Sequence, residues 1–150
     1  MSKTRIGGLR IVGRVTDMDT TTTAVADFEV VSSKVEEREE QPTEGAALAR
    51  TVLAKRFSGA LEGTSVTQML TAVAAGGRGY VASERVEGVL DGRRGSFVLQ
   101  HGGLVDGDDV SAFGEIIPGS GTGELVGLHG HASYFHEGDV ARLTLTYALD

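Results

Sequence analysis

From Ala24 onward, apolar and polar residues alternate with a period of two, in runs that short turn signals interrupt. This alternation predicts half-buried β-strands, and 22 glycines against 2 prolines supply the tight turns between them. The predicted strands cover residues 25–35, 47–58, 61–74, 79–90, 94–105, 109–117, 131–136 and 139–149. A chain with this pattern is expected to fold as an all-β domain.

Eight consecutive strands without long helices between them favour an eight-stranded antiparallel closed barrel, because closure leaves no exposed sheet edge. The 150 residues fit one such domain. The acidic stretch 35–45 is predicted to be a solvated loop, and 118–130 to hold at most one helical turn. A barrel of this size is either filled by its own side chains or holds one small ligand.

Residues 1–23 are predicted to be an N-terminal extension of a barrel domain that spans 24–150. The extension has a basic start and ends in the polar run DMDTTTT at 17–23. Its middle, LRIVGRV at 9–15, has the composition of a short strand, so disorder and ordered packing are both open.

The charge balance disfavours two classes of partner. With 14 basic against 21 acidic residues, the formal charge of −7 disfavours nucleic-acid phosphates and anionic membrane surfaces. No apolar run is long enough to span a bilayer, and the start MSKTRIGGLR lacks a signal-peptide core, so we expect a cytoplasmic protein. The absence of cysteine removes disulfides, thiolate metal sites and a cysteine nucleophile.

The hairpin at residues 84–103 is the most informative stretch. Asp91-Gly92 is a strong signal for a two-residue turn, which pairs Leu90 with Arg93. In that register Glu84 lies opposite Leu99, and Ala82 lies opposite His101. Glu84 and His101 therefore both face the apolar interior, as diagonal neighbours about 7 to 8 Å apart between Cα atoms.

A buried carboxylate is costly unless it is paired, so Glu84 needs an explanation. One explanation is a small-molecule pocket in which Glu84 and His101 form a catalytic acid–base pair. The other is a satisfied structural pair at one end of the barrel, which holds a strand end or a buried water. The residues themselves leave both open.

Further interior positions are predicted to contact a ligand. They are Tyr80, Phe97, Leu99, Ala112 and Tyr147. A second two-residue turn at Asp106-Gly107 would place Ala112 opposite His101 and leave room beside the imidazole.

Four stretches carry a resemblance to a known family. They are FEVVS at 28–32, FSGALEGTS at 57–65, ERVEGVLDGRRGSFVLQHGG at 84–103 and IPGSGTGELVGL at 117–128. With these the chain resembles a bacterial domain-of-unknown-function family that has an allene oxide cyclase-like β-barrel. The resemblance implies an eight-stranded barrel, and the wider barrel class includes cofactor-free cyclases that bind apolar substrates, which is analogy at the level of the fold. The extension before Ala24 departs from the family pattern and is open to interpretation as a lid, a dimer arm or a start-site artefact.

Other motifs carry less weight. His129 and His131 share a strand face, but no second histidine motif follows His136, so no metal site is predicted. PGSGTGEL lacks the Gly-Lys-Ser/Thr end of a phosphate-binding loop, and no Gly-x-Ser-x-Gly elbow is present. Phe113 faces outward and marks a candidate contact for a homo-oligomer.

These observations lead to a function hypothesis. The leading one is a cofactor-independent cyclase or isomerase that acts on an apolar small molecule in the barrel, because no metal, nucleotide or covalent-nucleophile motif is evident. The alternative is a non-catalytic binding barrel. A third is a structural barrel filled by its own side chains.

Overall fold

The structure is a computed structural model that describes residues 2–6, 9–13, 20–40 and 44–150, with side chains in the last two ranges. Two short strands, β1 (Ser2–Ile6) and β2 (Leu9–Gly13), pair as an antiparallel hairpin. The barrel strands are β3 (Thr22–Arg38), β4 (Ala47–Gly59), β5 (Leu61–Val73), β6 (Gly77–Leu90), β7 (Arg93–Asp106), β8 (Asp109–Ile116), β9 (Leu128–Glu137) and β10 (Val140–Leu149).

The eight strands from β3 to β10 close into one antiparallel barrel, in which each strand neighbours the next and β10 returns to β3. The predicted all-β closed barrel is confirmed. A 3-10 turn, Gly123–Leu125, precedes β9, as the glycine-rich stretch predicted. None of the helical structure in the described residues is long and apolar enough to cross a bilayer.

The prediction of a loop across 35–45 is wrong for its first residues. β3 continues to Arg38, which pairs with Ala49 of β4. Register shifts between Val30 and Ser32 and between Val35 and Glu37 interrupt the regular pairing of β3 with β4, as β-bulges do.

The hairpin of β6 and β7 has the predicted register, with Glu84 opposite Leu99 and Ala82 opposite His101. The register predicted for the next hairpin is wrong by two residues. Its turn is Gly107-Asp108, where Gly107 adopts φ 62°, a left-handed conformation that favours glycine. Gly114 therefore lies opposite His101, although a shift of two residues keeps every side chain on its predicted face.

The apolar core fills the part of the barrel around the Asp91-Gly92 turn. Its largest fully buried apolar side chains are Phe97, Leu61, Leu90, Leu99, Ile116, Leu125, Leu128, Leu143 and Leu145. The amide of Thr122 donates to the carbonyl of Ser96 at 2.9 Å, which fixes the 3-10 turn against β7 and carries Leu125 into the core.

Three glycines lie in one cross-strand row of this core, Gly63, Gly88 and Gly95. A methyl group added at Gly88 would lie 2.1 Å from the Glu62 carbonyl oxygen, so β5 and β6 approach too closely for any side chain there. We expect Gly88→Ala to cost at least about 2 kcal/mol of unfolding free energy in urea titrations. Gly76→Ala is the control, because no atom lies within 4 Å of its added methyl, and it should change stability little. Equal effects of the two changes would contradict the close approach.

Candidate functional site

Glu84 is the centre of a buried polar cluster. Its side chain is 0% exposed on the inner face of β6. Oε1 lies 3.1 Å from Lys55 Nζ, 2.9 Å from His101 Nε2 and 2.8 Å from the Tyr134 hydroxyl, while Oε2 accepts from Ser65 Oγ at 2.5 Å. Donors from four other strands thus converge on one carboxylate.

The environment of Glu84 keeps it ionised. Burial alone would raise its pKa, but the hydrogen bond from His101, the charge of Lys55 and the hydroxyls of Ser65 and Tyr134 together lower the pKa to about 2. At neutral pH the carboxylate is therefore charged and only accepts hydrogen bonds. The sequence left open a structural pair of Glu84 and His101. The structure shows a larger cluster, in which Glu84 also contacts Lys55, Ser65 and Tyr134.

Lys55 supplies the buried counter-charge. Its side chain is nearly inaccessible, and its ammonium lies 4.9 Å from the Phe28 ring centroid and 5.0 Å from that of Tyr134. Such cation–π contacts replace part of the lost hydration. Among the described residues, Thr67, directly opposite Glu84, has a buried side-chain hydroxyl without a hydrogen-bond partner. The cluster therefore retains hydrogen-bonding capacity inside the barrel.

A hydrogen-bond chain leads from this cluster toward the surface. The ionised Glu84 accepts from His101 Nε2, so the Nδ1 of a neutral His101 is free to accept from Tyr80, whose hydroxyl lies 3.0 Å away. Burial, followed by the Glu84 charge, raises the pKa of Tyr80, which keeps its hydroxyl protonated at neutral pH. Exposure increases along the chain from Glu84 through His101 to the half-buried Tyr80.

The interior next to Tyr80 is lined by small residues. Tyr80 pairs with Gly103, which pairs with Ala112, and Ala112 is exposed although it faces inward. The adjoining seam between β8 and β9 is short, because only Glu115 with His131 and Ile116 with Gly130 are paired across it. Among the described residues, the barrel wall is least paired at the β8–β9 seam, which borders Ala112 and the inward-facing Tyr134.

The other predicted ligand contacts lie deeper. Phe97, Leu99 and Tyr147 are all buried members of the apolar core. The Tyr147 hydroxyl donates to Asp91 at the hairpin turn, and burial, followed by this bond, raises its pKa to about 12. The structure brings Glu84, His101 and Tyr80 together, whereas ligand contact by the three core residues stays a prediction.

Sequence reasoning missed Lys55, Ser65 and Tyr134. Each occupies an inward position by strand parity, so the same alternation that revealed Glu84 contained the signal. Lys55 stands between inward-facing residues of β4 and pairs with Ser65 across β5. An inward lysine on another strand is a natural partner for an inward glutamate, and that pairing was available from the pattern.

Two of the three remaining histidines make separate contacts. His129 Nε2 lies 3.1 Å from an Asp150 oxygen, and His131 Nδ1 lies 2.9 Å from Glu115. Within the part of the chain that the structure describes, no three metal-ligating side chains cluster in a geometry that would hold a metal ion.

A family model described as a protein of unknown function, DUF3224, matches residues 24–147. The chain belongs to the DUF3224 family. A solved DUF3224 structure, a protein of unknown function from Shewanella oneidensis MR-1, is 36% identical in sequence and superimposes with a TM-score of 0.79. The alignment covers 87% of this chain and 98% of the Shewanella chain. Comparison with curated proteins gives no significant match. The resemblance read from the sequence is thereby confirmed, and DUF3224 carries a barrel fold with no stated activity.

Proposed function

We propose that this DUF3224 protein is a cofactor-independent acid–base catalyst, an isomerase or cyclase, that acts on an apolar small molecule beside Tyr80. The observation that carries the proposal is the hydrogen-bond chain from Tyr80 through His101 to Glu84, with spacings of 3.0 and 2.9 Å. A buried carboxylate that orients an imidazole, which in turn accepts from a hydroxyl, is the arrangement that activates hydroxyl groups in enzymes.

The proposed chemistry is a reversible proton transfer. The Tyr80 oxygen takes a proton from a carbon next to a carbonyl group of the ligand, while the Tyr80 proton passes to His101 Nδ1. A C–H and an O–H bond break, an O–H and an N–H bond form, and the resulting imidazolium is paired with Glu84. Return of the proton to a different carbon completes an isomerisation without any further reactant.

The surroundings of Tyr80 suit an apolar ligand. Gly103 and Ala112 occupy the interior positions next to it on β7 and β8, and the β8–β9 pairing beyond Ala112 is short. The Glu84 carboxylate has no accessible surface, so in this proposal it positions His101 and Tyr80 is the group that touches the ligand.

A second candidate is a binding barrel without catalysis. It is favoured by the four donors that saturate Glu84 and by its pKa of about 2, since a carboxylate so stabilised does not exchange protons near neutral pH. In that case the cluster orders the barrel interior, and the same opening beside Tyr80 admits a ligand.

NMR in D₂O measures how fast deuterium enters each of a panel of enolisable and β,γ-unsaturated ketones when the protein is added. The wild type should accelerate exchange of at least one ketone, and Tyr80→Phe should reduce that acceleration by about 100-fold, within the range of general acid–base effects. Tyr134→Phe is the matched comparison, because Tyr134 donates directly to Glu84 and lies outside the Tyr80–His101 chain.

Native mass spectrometry of the same ketones with both proteins separates the two candidates. Binding with no acceleration by the wild type would support the binding barrel and refute catalysis on these ketones. Equal losses in Tyr80→Phe and Tyr134→Phe would show that the whole cluster matters and the relay does not.

A further inference from the structure

The outer wall of the barrel carries a contiguous apolar groove, whose lining is mostly outward-facing residues but also includes Tyr80, Gly103 and Ala112 of the proposed ligand site. Its volume is about 560 Å³, and it runs across β4 to β8. Its large outward-facing side chains, all about half exposed, are Leu48, Leu70, Val81, Leu104 and Phe113. We call this surface the outer groove.

Strand register explains why these side chains form one surface. Leu70 pairs with Val81, Val81 with Gly102, and Gly102 with Phe113, so the four lie in one outward-facing row. Leu48 and Leu104 belong to the neighbouring outward-facing row, which also contains Gly79. Apolar residues at outward positions of five adjacent strands depart from the polar exterior that alternation requires.

Glycines make this surface shallow. A methyl group added at Gly102 would overlap the ring of Phe113, and one added at Gly79 would touch Leu104. Phe113 and Leu104 therefore lie across their glycine neighbours while staying about half exposed. A shallow apolar wall of strands is suited to packing against a second sheet.

The size of the outer groove fits the core of a protein interface. Five half-exposed apolar side chains present on the order of 500 Å², near the upper end of what monomers leave uncovered. A standard interface buries roughly 800 Å² on each partner, with an apolar centre and a polar rim. Arg50 and Gln68 border the outer groove and would contribute to such a rim.

The charge distribution is compatible with a second copy at this surface. The chain carries a formal charge of −7, so two copies repel each other over most of their surfaces. No charged side chain lines the outer groove among the described residues, and the adjacent Arg50 is paired with Glu37. Two copies that meet at this surface bring no like charges into contact.

We infer that the outer groove is the interface of a symmetric homodimer, in which the same surface of a second copy covers it. An isologous contact needs a surface that matches itself, and a shallow, uncharged apolar wall meets that requirement. Phe113, at one end of the row, is the expected hot spot, since aromatic side chains dominate such interfaces.

Light scattering after size-exclusion chromatography, with sedimentation equilibrium of the full chain, tests the dimer. The wild type should show twice the chain mass of 15.7 kDa at micromolar concentration. Phe113→Ser and Leu104→Ser should each raise the dissociation constant by at least roughly 30-fold. Phe135→Ser is the control, because Phe135 is 48% exposed, against 53% for Phe113, and lies outside the outer groove.

Salt dependence of the wild type is a second readout that needs no variant. Raising the salt concentration should tighten the dimer, because screening weakens the repulsion between two copies of net charge −7. A wild type that is monomeric at about 100 µM would overturn the proposal and leave the outer groove to another apolar partner. A dimer that Phe135→Ser weakens as much as Phe113→Ser would also overturn it.

Discussion

Glu84→Gln is expected to lower the free energy of unfolding by about 3 to 5 kcal/mol, the usual cost of leaving one member of a buried ion pair without its partner. The Lys55 ammonium would remain almost fully buried without a counter-charge. The amide nitrogen of the glutamine side chain would also be a hydrogen-bond donor at a position where the carboxylate only accepts hydrogen bonds. Urea unfolding at pH 7 measures the loss.

A double-mutant cycle isolates the contribution of the ion pair. Lys55→Met removes the charge and keeps an aliphatic chain beside Phe28. The double variant Lys55→Met/Glu84→Gln should lose less unfolding free energy than the sum of the losses in the two single variants, by at least about 1 kcal/mol. Glu62→Gln, on the exposed face of β5, is the control and should be close to neutral. A loss below about 1 kcal/mol for Glu84→Gln would refute the view that the cluster is held by charge.

The part of this cluster that sequence reasoning found is the part fixed by a local turn. Asp91-Gly92 sets the register of β6 on β7, so Glu84 and His101 could be placed on one face from residues 17 positions apart. Lys55 and Tyr134 are 29 and 50 positions from Glu84. Their approach depends on barrel closure and on several successive registers, which no short motif specifies.

Strand parity assigns a side chain to a face but not to a depth along the barrel. Phe97 and His101 have the same parity on β7, yet Phe97 is packed in the apolar core and His101 lies beside Tyr80. Depth depends on the stagger of all eight strands, and a single sequence does not reveal it. The same limit explains why Tyr147 was predicted to face inward, correctly, while its contact with Asp91 was not foreseen.

The hairpin after β7 shows how turn chemistry sets register. Asp106-Gly107 is the same dipeptide as Asp91-Gly92, but it is followed by Asp108. This allows the turn to move by one residue, so that Gly107 occupies its first position. Gly107 then supplies the positive φ at the start of the turn, and Asp106 pairs with Asp109. A dipeptide predicts a turn more securely than it predicts which residues are paired around it.

The second large effect is a loss of stability in acid that depends on Glu84. Its pKa is 4.5 in the unfolded chain and about 2 in the folded barrel, so the unfolded state binds the proton first as the pH falls. The stabilisation is therefore fully present above pH 4.5 and is lost as the pH approaches 2. The shift corresponds to about 3 kcal/mol, of which roughly 2 kcal/mol should be gone at pH 3.

Urea unfolding of the wild type and Glu84→Gln at pH 6 and pH 3 separates this contribution from other carboxylates. The exposed acidic residues titrate alike in both proteins, so they cancel when the two are compared at each pH. The stability difference between wild type and Glu84→Gln should shrink by roughly 2 kcal/mol between pH 6 and pH 3. A difference that stays constant would mean that Glu84 titrates as an ordinary carboxylate, and the hydrogen bonds from His101, Lys55, Ser65 and Tyr134 would then have no net effect on its charge.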